Sequence, residues 1–192
     1  MQIIAGKARS IELNVPPGMG VRPTAGRSRK ALFDSIGGAL PGCCVLDLFA
    51  GSGALALEAA SRGAAALWLV ESNPRHAAVI EENIRKVRRA GVEAPIELLR
   101  ASVLDTAVWV RRIVPAPDFI FADPPYAESA EFFRQLTADA RFTEAFAGAR
   151  LIWEIPDTPG AVGNFLSSSG VTSLQVRRFG GSDFLLGELC HA

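Results

Sequence analysis

The sequence predicts an α/β protein: a mostly parallel sheet with helices on both faces, one antiparallel strand near its edge, and a short N-terminal extension. Three observations predict it. From residue 43 onward, short apolar β-rich runs alternate with longer amphipathic patterns. Gly51-Ser52-Gly53 follows the first apolar run and opens a helical pattern. Near the end, two strand-like runs flank Phe179-Gly180-Gly181-Ser182, the mark of a hairpin.

Taken in order, residues 1–40 differ from the rest. Pro16, Pro17, Gly18, Gly20 and Pro23 precede a helix expected from Thr24 or Ala25 through Ile36. This stretch carries six basic residues (Lys7, Arg9, Arg22, Arg27, Arg29, Lys30) against two acidic ones (Glu12, Asp34). It is read as a basic extension, with residues 41–192 as the domain that holds the chemistry. Residues 43–49 form the first strand, 53–61 its helix, and 66–71 the second strand. A long amphipathic helix over 73–90 opens on Asn73-Pro74. Residues 95–100 and 119–123 are strands three and four, 129–147 a helix, 150–155 strand five, and 171–177 and 183–189 the last two.

Composition narrows the function. At 192 residues and 49% hydrophobic, the chain suits one compact domain. Its 20 basic and 20 acidic residues cancel, so a nucleic-acid partner would be met by a local patch. No run approaches the roughly 20 apolar residues of a membrane span, and the start lacks a secretory layout, so a cytoplasmic protein is expected. Cys43, Cys44 and Cys190 are odd in number and lack a CxxC spacing, and His76 and His191 lie far apart. Neither a disulfide framework nor a metal is expected.

Asp123-Pro124-Pro125-Tyr126 closes the run Asp118-Phe119-Ile120-Phe121-Ala122 at the carboxyl end of a strand, where ligands sit in open α/β sheets. An exocyclic amine on a base is a poor nucleophile because its lone pair is delocalised into the ring. Two acceptors, Asp123 and the Pro124 carbonyl, favour a pyramidal nitrogen and aim its lone pair. The prolines stiffen the turn, and Tyr126 can stack on the base. The bland alternative is a strand terminator with Tyr126 packed locally.

A second ligand is implied upstream. Gly51 and Gly53 allow close backbone approach, and the helix that follows offers free N–H groups. Glu71, at the end of strand two, suits a ribose diol. Asp47, buried within an apolar strand, suits an ammonium group, directly or through water. S-adenosylmethionine offers an ammonium, a carboxylate, a ribose and an adenine, and this layout meets each. Phe49, Ser52 and Ser72 flank these positions and join the candidate set. Ser102, beside the expected adenine, is also explained as a helix cap.

These residues, with Gly20-Val21-Arg22-Pro23-Thr24 and Arg27-Ser28-Arg29-Lys30-Ala31-Leu32-Phe33, resemble the bacterial 16S ribosomal RNA guanine-N2 methyltransferases of the RsmD type. The resemblance runs nearly end to end. It implies a Rossmann-like class I methyltransferase fold with seven strands, S-adenosylmethionine as donor, and a guanine amine in 16S rRNA as acceptor, free or within a small ribosomal subunit. It also implies that Arg22, Thr24, Arg27 and Arg29 approach RNA. A monomer is expected. Ser10-Ile11-Glu12 stands where the family carries further basic residues. Three other functions fit parts of the pattern, the least favoured being a non-catalytic RNA-binding module. An adenine-N6 methyltransferase would share the motif. A nicotinamide-dependent oxidoreductase would use the glycine loop but leaves Asp-Pro-Pro-Tyr unexplained.

Overall fold

A computed structural model of the chain describes residues 1–18, 23–158, 160–165 and 170–191, without the side chains of 23–25 and 164. Seven strands form one sheet: β1 (Cys44–Leu48), β2 (Ala66–Val70), β3 (Ile96–Leu99), β4 (Phe119–Ala122), β5 (Arg150–Ile155), β6 (Val171–Phe179) and β7 (Ser182–Leu189). Their order is β3-β2-β1-β4-β5-β7-β6. Strands β1 to β5 pair in parallel, whereas β7 is antiparallel to both β5 and β6. The apolar runs are continuous because both sheet faces are covered: every residue of β1 and β4 is buried.

Alternation along the strands divides the core into two layers. On one face Val45, Leu67, Phe119, Phe121 and Ile152 meet helices α1 (Pro23–Ile36), α2 (Ala54–Ser61) and α3 (Pro74–Arg89). On the other, Leu46, Leu48, Ile120 and Trp153 meet α4 (Thr106–Trp109), α5 (Ser129–Ala138) and α6 (Ala140–Ala145). Ile3, Ala8, Leu13, Leu32, Phe33 and Leu40, from the first forty residues, belong to the first layer.

Local signals explain the element ends. Helix α3 starts where the Asn73 side chain accepts the Arg75 N–H with Pro74 beside it, and ends on Lys86, Arg88 and Arg89. The single helix expected over 129–147 is two. Asp139 adopts φ −81°, ψ 109°, and its side chain accepts from Arg141 N to cap α6. The short α4 was not anticipated.

The first eighteen residues fold back on themselves, with Gln2 bridged antiparallel to Glu12. Helices α2 and α3 hold them. Glu58, fully buried on α2, accepts from Ile4 N at 2.7 Å and Ala5 N at 3.1 Å. Asn83, fully buried on α3, accepts from Asn14 N and donates to the Asn14 and Ser52 carbonyls. Among the described residues no helix is long and apolar enough to cross a membrane.

Candidate active site

The chain runs outward through β1, β2 and β3, then crosses back to β4 beside β1. Loops at the carboxyl ends of β1 and β4 therefore part in opposite directions and leave a crevice. It encloses about 680 Å3 and is lined by Phe49, Gly51, Glu71, Ser72, Ser102 and Asp123 to Tyr126. These come from four strand ends separated widely in sequence.

The glycine loop is wound tightly. Gly51 and Gly53 take φ +59° and +76°, and Phe49 takes +61°, a left-handed backbone that a non-glycine residue adopts at a cost of about 1–3 kcal/mol. Aromatic contacts hold Phe49 there: its ring lies 4.9 Å from Phe132 and 5.8 Å from Trp153. Glu71 closes the loop from β2. One of its oxygens accepts from Gly51 N at 2.8 Å and the other from Asn73 N at 2.8 Å. Ser102 Oγ accepts from Leu104 N at 3.3 Å and the residue lines the cleft; it is not the helix cap that the sequence allowed, since α4 starts at Thr106 with Asp105 at its N-cap.

Three of the expected cofactor residues, Asp47, Ser52 and Gly53, are not among the residues that line the cleft. Gly53 is the N-cap of α2 and brings no side chain. Asp47 supplies one from β1, accepting from Ala56 N at 3.1 Å. Its burial, with smaller contributions from Asp123 and Glu71, pushes its pKa up to about 8, against the lowering effect of the Ala56 bond. Ser52 is buried with its carbonyl bonded to Asn83.

At the other wall, Asp123 is half-buried, Pro124 buried, and Pro125 and Tyr126 exposed. The Tyr126 hydroxyl donates to Glu154 Oε1 at 3.0 Å. The cleft is acidic: Glu71, Asp123 and Glu128 line it, and no Lys or Arg is among its described lining residues.

The expected RNA contacts separate. Arg27 is exposed on α1. Arg29 is turned inward and only 7% exposed, donating to Met1 Sδ and to the Gln2 carbonyl. It follows the helical face of Leu32 and Phe33, so it belongs to the packing of the N-terminal segment and not to an outer surface. Arg22 and the Thr24 side chain lie outside the described residues.

Sequence reasoning missed His76, Asn73, Phe132 and Glu154. His76 lines the cleft with Nδ1 3.6 Å from Glu71 Oε1. Its place in the first turn after strand two was the available signal, since that turn must open at the strand ends. Glu154 had none, because nothing in the sequence sets β5 beside β4.

Comparison with known proteins agrees with this architecture. The family model described as conserved hypothetical protein 95 matches residues 1–150. The ribosomal RNA small subunit methyltransferase D of Escherichia coli (strain K12) is 35% identical over 126 residues, 66% of this chain and 60% of that protein. The match thus spans about three fifths of that relative's length. The putative rRNA methyltransferase YlbH of Bacillus subtilis (strain 168) is 31% identical over 134 residues, 67% of this chain and 68% of that protein. Among solved structures, the putative methyltransferase yhhF from Escherichia coli superposes with a TM-score of 0.73 at 25% identity, covering 100% of this chain and 99% of that one. The sheet order and the antiparallel β7 are those of the Rossmann-like class I methyltransferase fold that the sequence led us to expect. With residues 1–150 matching its model and the remaining strands completing the same sheet, the chain belongs to the conserved hypothetical protein 95 family, the family of the RsmD-type proteins.

Proposed function

We propose that this chain transfers a methyl group from S-adenosylmethionine to the exocyclic N2 amine of a guanine in small-subunit ribosomal RNA. The observation that carries the reading is that the Asp123–Tyr126 turn shares one acidic cleft with Glu71 and Gly51. S-adenosylmethionine, once bound, supplies an electrophilic methyl group next to a cationic sulfur. The residues present fit it. An acidic cleft without Lys or Arg on its described wall favours a cation and disfavours a pyrophosphate, which weighs against a nicotinamide dinucleotide. The Glu71 carboxylate retains lone pairs for ribose hydroxyls beyond those used by Gly51 and Asn73. Gly51 lets the backbone come close.

At the acceptor side, the Asp123 carboxylate and the Pro124 carbonyl accept from the two amine hydrogens, and Tyr126 stacks on the base. Transfer would form the N–C bond as the methyl–sulfur bond breaks and leaves a neutral thioether, and the nitrogen would give up a proton to Asp123 or to water. A base already splayed from its stack suits such a pocket. Arg27 on α1, with Arg22 and Thr24 ahead of it, supports the RNA contact, and 16S rRNA in the cytoplasm, met by a monomer, is the proposed setting. The relatives named for ribosomal RNA support the substrate class.

The test is transfer of labelled methyl from S-adenosylmethionine to small ribosomal subunits lacking their native methylations, followed by digestion to nucleosides. Label in N2-methylguanosine that disappears with Asp123→Ala, while cofactor affinity stays, is the expected result. Label in N6-methyladenosine would overturn the guanine assignment. No label on particles or free rRNA would overturn the substrate.

A further inference from the structure

Glu154 lies outside the cleft wall, yet it is bonded to a residue on it. Register places it: Ala122 of β4 pairs with Trp153 of β5, so the next step sets Asp123 beside Glu154. Two residues earlier on each strand, Phe121 and Ile152 occupy the same core layer, so Asp123 and Glu154 emerge on one face of the sheet. Glu154 is held from its other side as well, paired with Phe184 of β7. It is 7% exposed, a carboxylate kept at the rim of an apolar layer where burial demands partners. One partner is the Tyr126 hydroxyl, 3.0 Å from Oε1.

Tyr126 stands differently. It is 36% exposed, on the short 3-10 turn Tyr126–Glu128 that follows two prolines. Tying the far end of a phenol on such a turn restricts its side-chain torsions. We propose that Glu154 is a positioning residue that ties the Tyr126 hydroxyl to the sheet and so fixes the ring as the wall against which the acceptor base lies. This rests on the methyl-transfer reading above. The prolines set where the ring starts, and the carboxylate sets where it ends. Two strands then orient a group on an exposed loop, and the ring's orientation is settled before the base arrives.

The chain contains one tyrosine, so its ring can be observed alone. In full-length protein with 13C-labelled tyrosine, the Cζ resonance is expected to shift in Glu154→Leu and to stay near its wild-type position in Glu154→Gln, which keeps an oxygen acceptor. In the small-subunit methylation assay, Glu154→Leu and Tyr126→Phe are each expected to lower kcat/KM for RNA by about tenfold. The double variant should fall no further than the worse single one, because both remove the same bond. Glu154→Gln should recover most of the loss, and S-adenosylmethionine affinity should hold within about twofold in every variant. Losses that multiply in the double variant would overturn the proposal. So would wild-type kinetics in Glu154→Leu, or an unmoved Cζ resonance. If the wild-type chain methylates no RNA, the function above fails and the positioning role falls with it. A shifted resonance together with active wild-type enzyme and additive losses would reject the positioning role alone.

Discussion

The amide of Gly51 donates to Glu71 at 2.8 Å, joining the loop after β1 to the end of β2. The second carboxylate oxygen takes the amide of Asn73, the residue that caps α3. One acid thus fixes two loops that border the cleft, and any ligand it receives meets walls already set.

Glu71→Gln keeps the size of the side chain but offers only one acceptor oxygen for two amides. We expect S-adenosylmethionine affinity to fall roughly 10–100-fold, since bonds to a charged acceptor are worth about 1.5–3 kcal/mol each. Titration calorimetry would check this. Unchanged affinity would separate Glu71 from the cofactor site.

Asp47 makes stability depend on pH. Its folded-state pKa of about 8 lies above the ordinary carboxylate value of 3.8. Between those values the folded chain binds the proton more tightly than the unfolded chain. The contribution is therefore fully present below pH 3.8 and is lost as pH rises through 8. Asp47→Asn retains an oxygen for Ala56 N and has no charge to bury. Its urea midpoint should improve relative to wild type between pH 5 and pH 8, by about 1 kcal/mol or more in stability. A gap that narrows with rising pH would contradict the assignment.

Glu58 serves the N-terminal segment. It accepts from Ile4 N, Ala5 N and Arg62 Nε. Glu58→Leu strands all three donors, and breaking a buried charge pair costs about 3–5 kcal/mol. Hydrogen exchange should rise first in residues 1–13, well ahead of β1 and β4. Uniform exchange across the chain would count against this local anchoring.

Arg27 and Arg29 should part company in experiment. Arg27→Glu is expected to weaken rRNA binding and reduce the slope of log affinity against log salt by roughly one, with the urea midpoint unchanged. Arg29→Leu should lower the urea midpoint and leave that slope intact. Equal salt slopes for wild type and Arg27→Glu would remove α1 from the RNA surface.

Strand positions were legible because buried parallel strands spell continuous apolar runs, as in Val45-Leu46 and Phe119-Ile120-Phe121. Once those ends were placed, Gly51, Glu71, Ser102 and the Asp123–Tyr126 turn followed, since all lie where strands finish. The break at Asp139 was hidden. Phe133, Leu136, Phe142 and Phe146 all enter one core layer, so the apolar pattern runs on across it. Arg29 was legible in principle from its spacing to Leu32 and Phe33, but its charge drew the reading outward. Asp47, Ser52 and Gly53 show a further limit: sequence gives proximity along the chain and not which groups border the cleft. Glu154 required the order of strands in space, which no local pattern carries.

That order also governs how the chain can be completed. Strand β7 lies between β5 and β6, and among the described strands β6 pairs with β7 alone. During synthesis at about 5–20 residues per second, β6 emerges first and finds its docking edge not yet made. The growing chain must keep a nine-residue strand waiting until its successor has settled against β5. The wall of β5 that carries Glu154 is likewise unfinished until then, so the sheet closes beside the Asp123–Tyr126 turn last.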